Sequence, residues 1–201
     1  MGLEVGRRAL LVMVAAVALP RAARAEGASA FVQTLGDEAL DLLMRPPGSE
    51  KDRVERLRSI LTGRFDLKTI GRAVLGPSWK SADETQREAY LTIFEDYVVA
   101  TYSLLVKDYS GETFEVLKET PIDERDSLVA TQIVRRNKAP LRVDYRVRNK
   151  DGAYHVIDVM VEGISMLTSQ RQEFAAVIQR DGVDGLISQL RARAVDILGD
   201  L

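Results

Sequence analysis

The chain of 201 residues has no cysteine, which excludes disulfides, thiolate metal sites and a cysteine nucleophile. It has a single histidine, His155, and so little room for imidazole-based metal chemistry. Neither sign of charge dominates. With 28 Lys and Arg against 30 Asp and Glu the net charge is −2, without the basic excess that marks a nucleic-acid footprint. Internal repeats and low-complexity linkers are absent, and no long apolar run recurs after Leu19. What is present in quantity is apolar material, 46% of residues, enough to build the core of one domain at this length.

The first 25 residues read as a segment of a different kind. Arg7-Arg8 give a positive start, Ala9 to Leu19 form an unbroken apolar run of 11 residues, and Ala23-Arg24-Ala25 is a small-x-small cleavage pattern. Together these predict a cleaved secretory signal peptide over residues 1–25, because the run is too short to span a bilayer. The expected location is the periplasm, with a single domain over residues 26–201. Removing the signal takes away four basic residues and one acidic residue and leaves a net charge of −5. Such a chain is not drawn to anionic membranes, so membrane contact would need a protein receptor.

Helical periodicity fills the first half. Phe31 to Leu43 and Lys51 to Leu61 read as two helices, with Gly63 as the stop of the second. Asp66 is placed to cap a short helix that ends at Gly76-Pro77. Ser81-Ala82-Asp83-Glu84 has the capping-box spacing and predicts the start of the longest helix, which runs through Tyr90, Phe94, Val98 and Leu105. From Tyr97 to Val106 nearly every position is apolar or small. That predicts burial on more than one side, either by protein alone or by protein and a bound apolar ligand.

After Gly111 the period changes to that of strands: Thr113 to Thr120, Leu128 to Arg135, Leu141 to Arg148 and Tyr154 to Val161. The third is the clearest, with Leu141, Val143, Tyr145 and Val147 on one face and Arg142, Asp144, Arg146 and Arg148 on the other. Asn149-Lys150-Asp151-Gly152 is a hairpin turn. Gly163 then interrupts, and helical spacing resumes from Ser165, split at Asp181-Gly182. The predicted fold is α+β: helices, a curved four-stranded antiparallel sheet, then C-terminal helices, a layout able to enclose a cavity.

Two stretches resemble a known family. Asp158-Val159 through Glu162-Gly163-Ile164-Ser165, then Arg171-Gln172-Glu173-Phe174 and Gly182 through Gly185-Leu186-Ile187, form one; Phe65-Asp66-Leu67 through Ala73-Val74-Leu75-Gly76-Pro77-Ser78-Trp79 forms the other. In order and spacing they are similar to the MlaC family of periplasmic phospholipid-binding proteins, the toluene-tolerance auxiliary family. The resemblance implies non-catalytic carriage of phospholipid as cargo in an apolar cavity, with no cofactor. It implies exchange with an outer-membrane lipoprotein complex and with an inner-membrane ABC transporter bearing an MCE-domain subunit, in maintenance of outer-membrane lipid asymmetry. A hopanoid-associated carrier of the same family, a small cavity enzyme and a periplasmic adaptor with a solid core are the alternatives. The residues placed to line the cavity are Leu75, Phe94, Val98, Tyr102, Val143, Tyr145, Met160 and Ile164.

Each group of residues with chemical potential also has a plainer role. Ser165, His155 and Asp158 are the residue types of a hydrolytic triad, but no G-x-S-x-G elbow is present, so His155 reads as a surface or hydrogen-bonded residue. Asp158 and Glu162 read as partners of arginines or as caps of the helix that follows. The row Arg142, Arg146, Arg148 reads as a solvated strand face rather than a phosphate site. Met160 and Met166 suit either plain core or a lipid lining.

Overall fold

The computed structural model describes residues 27–44, 48–104, 111–136 and 138–199. The signal peptide, the start at Glu26, Arg45-Pro46-Pro47 of the first turn and the Leu105–Val106 end of the long apolar run lie outside them.

Helix α1 (Ala28–Met44) lays Phe31, Val32 and Leu35 on the sheet. Its first turn is held from across the fold, where the Ser29 amide donates to Glu119 Oε2 at 2.8 Å. Gly36 makes the contact possible. A Cβ there would stand 2.2 Å from the Phe114 ring, so helix and strand approach more closely than any larger residue allows.

Helix α2 (Glu50–Arg64) starts at Ser49, which accepts from the Asp52 amide. Gly63 does not stop it. The helix continues to Arg64 and ends where Phe65 leaves to form a parallel bridge with Val156 and the Asp66 amide donates to the Val156 carbonyl at 3.0 Å. A tertiary strand contact therefore ends the helix in place of a local signal. Helix α3 (Leu67–Leu75) is capped as expected: Asp66 accepts from the Thr69 amide at 2.9 Å and from its hydroxyl at 2.7 Å. The short α4 (Ser78–Ser81) follows the turn at Gly76 and Pro77.

Helix α5 (Glu84–Ser103) begins two residues later than the Ser81 spacing predicts. The capping box is Asp83 with Gln86, because the Ser81 hydroxyl is used inside α4, donating to the Ser78 carbonyl. Residues Leu75, Tyr90, Phe94 and Tyr97 then pack with Phe174, Leu186 and Leu190 as one helical core.

The sheet is an open antiparallel meander in the order β1 to β5: Thr113–Pro121, Asp126–Val134, Leu141–Lys150, Ala153–Val161 and Ile164–Ser165. The fifth, two-residue strand adds to the four expected. It exists because Glu162 (φ 50) and Gly163 (φ 80) turn the chain back tightly enough for Ile164 to pair with Val161. Register shifts between Val116 and Lys118 in β1 and between Arg146 and Val147 in β3 sharpen the twist that curves the sheet. The α6 helix (Met166–Leu198) is broken, as the Asp181-Gly182 split predicts, at Gly182, whose φ of 73° and ψ of −178° belong to glycine.

Two cores result. One joins α1 to the sheet through Val129, Val147 and Val156; the other joins α3, α5 and α6. A smaller cluster of Leu42, Val54, Leu57, Leu61 and Val99 ties α1, α2 and α5.

Candidate functional site

The inner face of β3 is the wall of interest. Val143, Tyr145 and Val147 alternate inward, paired across the ladders with Thr131, Val129 and Ser127 of β2, and Val143 and Tyr145 with Val161 and Val159 of β4. The α1 helix covers part of this wall. The C-terminal end of α5 carries Tyr102 and Leu104, both exposed.

Tyr102 combines two properties that seldom occur together. It keeps 37% of its surface accessible, yet burial raises its hydroxyl above the usual phenol range, helped by Tyr97 and by the Asp158 carboxylate. Burial likewise pushes Tyr145 up to about 12, and Tyr102 adds to the rise. Neither hydroxyl bonds a described residue. The two tyrosines packed among α5 and its neighbours differ: Tyr90 donates to the Gly71 carbonyl at 3.0 Å and Tyr97 to Gln170 Oε1 at 3.3 Å. Thr101 Oγ1, beside Tyr102, is buried without a partner.

The eight residues placed on the cavity by sequence divide in space. Tyr102 is on the end of α5 and Tyr145 on the inner face of β3, and Val143 lies two positions along the same strand face as Tyr145. Val98 is partly buried between the α5–α6 core and the α2 cluster. Leu75 and Phe94, each 2% exposed, belong to the packed helical core, with Phe94 edge-on to Phe174 at 6.4 Å. Met160 pairs with Asp144 on the strand face that carries the arginines, and Ile164, 60% exposed, sits on the β4–β5 hairpin. Thr131, in register with Val143, donates its hydroxyl to the Val143 carbonyl.

The arginine face is solvated, with Arg142, Arg146 and Arg148 keeping 60%, 41% and 31% of their side-chain surface, but its guanidiniums are not free. Asp126, 1% exposed, accepts from Arg148 Nε at 2.7 Å and Nη2 at 2.8 Å and from Arg146 Nε at 3.1 Å and Nη2 at 2.7 Å. The Arg148 bonds, against an opposing burial cost, hold its carboxyl below the ordinary range. Asp144 is buried in the same way under Arg142, at 2.8 Å. The guanidiniums thus roof two buried carboxylates.

The β4–α6 corner is likewise structural. Asp158 accepts from the Ser165 hydroxyl at 2.6 Å and the Leu167 amide at 3.1 Å, and Ser165 accepts in turn from the Thr168 amide at 3.0 Å. Ser165 is therefore committed to capping, directly on Asp158, and the imagined relay through His155 is not assembled. Glu162 Oε1 accepts from the Arg142 amide at 2.8 Å, which pins the turn to β3. His155 pairs across the ladder with Arg148 and lies near Asp66. Burial alone would raise the Asp66 carboxyl; its two Thr69 bonds outweigh that and lower it, and His155 adds to them.

Among the described residues no group of three or more His, Asp or Glu could hold a metal ion, and no helix is long and apolar enough to cross a membrane. Two open grooves lie elsewhere, one of about 540 Å³ between α5 and the end of α6, one of about 410 Å³ between α1 and α2. Neither is lined by the sheet.

This arrangement has relatives. The chain is 25% identical over 142 residues to the intermembrane phospholipid transport system binding protein MlaC of Haemophilus influenzae, covering 69% of this chain and 66% of that protein. Just under two thirds of the Haemophilus protein's length is thus spanned. It is 26% identical over 183 residues to the toluene tolerance protein ttg2D of Pseudomonas putida, covering 89% of this chain and 85% of that one. In fold it is similar, with a TM-score of 0.73 at 23% identity, to a phospholipid-binding protein from Ralstonia solanacearum solved in complex with a phospholipid, over 85% of this chain and 98% of that one. The family model described as MlaC protein matches residues 33–192, most of the chain, and the protein belongs to that family.

Proposed function

We propose that this protein is a periplasmic phospholipid carrier. It holds acyl chains between the inner sheet face and the end of α5 and leaves the head group toward solvent. The observation that carries the reading is the match of residues 33–192 to the MlaC family model, with Tyr102, 37% exposed at the end of α5, and Tyr145, on the inner strand face, as candidate lining. Family membership and the names of the relatives support it. Within this reading Val98, Tyr102, Val143 and Tyr145 touch lipid, whereas Leu75 and Phe94 support the wall from behind.

The physical need is large. Each CH₂ withdrawn from water is worth roughly 0.8 kcal/mol, so two long tails carry on the order of 20 kcal/mol. A cavity of matched apolarity cancels most of that and leaves handover nearly balanced. No bond-making step is required, and the role is not enzymatic. The acidic net charge of the exported chain argues for protein receptors at each membrane, and the family resemblance points to an outer-membrane lipoprotein complex and an inner-membrane MCE-domain ABC transporter.

The test is native mass spectrometry of protein purified without detergent, followed by lipid extraction. One phospholipid per chain is expected. Val143→Asp should lower occupancy while the far-ultraviolet circular dichroism stays native. A folded wild-type protein that neither retains phospholipid nor takes it up from vesicles overturns the proposal.

A further inference from the structure

Charge on the α3–α4 segment runs against the rest of the chain. Residues 67–82 carry Lys68, Arg72 and Lys80 and no acidic residue, although the net charge of the chain is −2. All three are exposed, and none forms an ion pair among the described residues. Lys68 stands in the first turn of α3, where the helix dipole disfavours a cation. It also lies four residues before Arg72, a spacing at which like charges repel. Neither effect helps the fold. The acids that border the segment are in use: Asp66 and Asp83 cap α3 and α5, and Glu173 accepts from Gln170 at 2.9 Å.

The α3–α4 turn gathers these cations and adds two more. The Arg72 guanidinium lies over the Trp79 ring at 5.1 Å from its centroid, and that of Arg87 at 5.5 Å. Arg87 is tied down further, by Nε to the Trp79 carbonyl at 3.0 Å and by Nη2 to the Lys80 carbonyl at 3.3 Å. From α6, exposed Arg171 reaches the same turn. Its Nε donates to the Ala73 carbonyl at 2.7 Å, and its Cδ lies 3.4 Å from where a Cβ on Gly76 would stand. Arg171, too, has no carboxylate partner among the described residues.

We propose that Lys68, Arg72, Lys80 and Arg171, set around Trp79, dock an acidic segment of a protein partner. The identification of that partner as a receptor at one of the membranes rests on the carrier reading; the surface itself does not. Arginine and tryptophan are the usual anchors of protein interfaces. A guanidinium already held against a ring or a backbone carbonyl loses little freedom on binding, and its planar fork matches carboxylates fixed along a polypeptide. A fluid bilayer gains nothing from that fixed geometry, and the acidic charge of the exported chain opposes an anionic membrane.

Trp79 is the only tryptophan, so its emission reads this surface alone. The exported chain is titrated with a decaglutamate peptide and, separately, with vesicles of phosphatidylglycerol. Decaglutamate should change Trp79 emission saturably, and about 0.5 M salt should abolish the change. Lys68→Glu combined with Lys80→Glu, both clear of the ring contacts, should weaken binding about tenfold, at two- to fivefold for each exposed pair lost. The same variant should keep its phospholipid and should not melt below wild type, since the fold gains nothing from either lysine. Arg136→Glu with Lys138→Glu, on the β2–β3 connection, should leave the titration unchanged. No response to decaglutamate, or equal weakening by the Arg136 and Lys138 variant, overturns the inference and leaves the carrier reading standing. A response to vesicles alone assigns the face to a bilayer and overturns it as well. A wild type that binds decaglutamate through this surface but carries no phospholipid supports the docking surface and removes the carrier reading.

Discussion

Replacing Asp126 by Asn separates the two readings of the arginine row. The carboxylate accepts four N–H contacts, from Arg146 at 3.1 and 2.7 Å and from Arg148 at 2.7 and 2.8 Å. Fully buried, bonds to charged groups are worth about 1.5–3 kcal/mol each. Here the two guanidiniums keep 41% and 31% of their side-chain surface, so water takes over part of what the carboxylate gave. Each arginine then counts closer to a surface pair, worth up to about 1 kcal/mol, and the buried amide that replaces the carboxylate turns a donor toward a donor. A total loss of about 2–3 kcal/mol follows. For a domain of this size that lowers the melting temperature by about 4–12 °C. The pH dependence has a definite sign. The folded-state pKa of Asp126 is depressed, so its contribution is fully present above the ordinary carboxylate range and disappears as pH falls through the lower, folded value. Thermal melts followed by circular dichroism should therefore show the full gap between wild type and variant at pH 7 and a closing gap below about pH 4. Inorganic phosphate should leave the wild-type melt unchanged, since the arginines are already occupied. A variant that melts within about 1 °C of wild type at pH 7, or a wild type stabilised by phosphate, would refute the structural reading of this face.

Three further outcomes are expected. Gly36→Ala drives a Cβ into the Phe114 ring and should cost about 1–3 kcal/mol in urea denaturation, as overpacking does, and a neutral result would mean that α1 sits farther from β1. Phe174→Ala removes a ring that meets Tyr90, Phe94 and Tyr97 at 5.8–6.4 Å and should cost about 3–5 kcal/mol in the same assay. Gly182→Ala meets no atom within 4 Å, so its loss of about 1–3 kcal/mol comes from the backbone conformation alone, and Gly182→Asn should cost less than Gly182→Val.

Strand content was legible because its signal is local. The alternation from Leu141 to Arg148 names both faces of β3, and Asp151-Gly152 supplies the two positive φ values that the hairpin needs. Gly163 and Gly182 likewise mark the corner and the helix break they occupy. What sequence hid depends on partners far along the chain. The end of α2 is set by Val156, some ninety residues on, so Gly63 misleads. Overlapping spacings from Ser81 to Glu84 and from Asp83 to Gln86 both satisfy the capping pattern, and only the presence of α4 decides between them. Asp126 gives no sign in the sequence of being buried, because Arg146 and Arg148 reach it from the next strand. Leu75, Phe94 and Val98 share one helical grammar, and periodicity does not tell a residue that meets protein from one that meets a ligand.

The irregularity between Val116 and Lys118 has a consequence beyond curvature. β1 ends the sheet with a row of amides and carbonyls turned outward, the usual template for runaway strand addition between molecules. The slipped residue breaks the spacing of that row, Lys118 sets a charge beside it, and Pro121 closes it with a position that cannot donate. Together these features keep the rim from templating strand addition between copies of the chain.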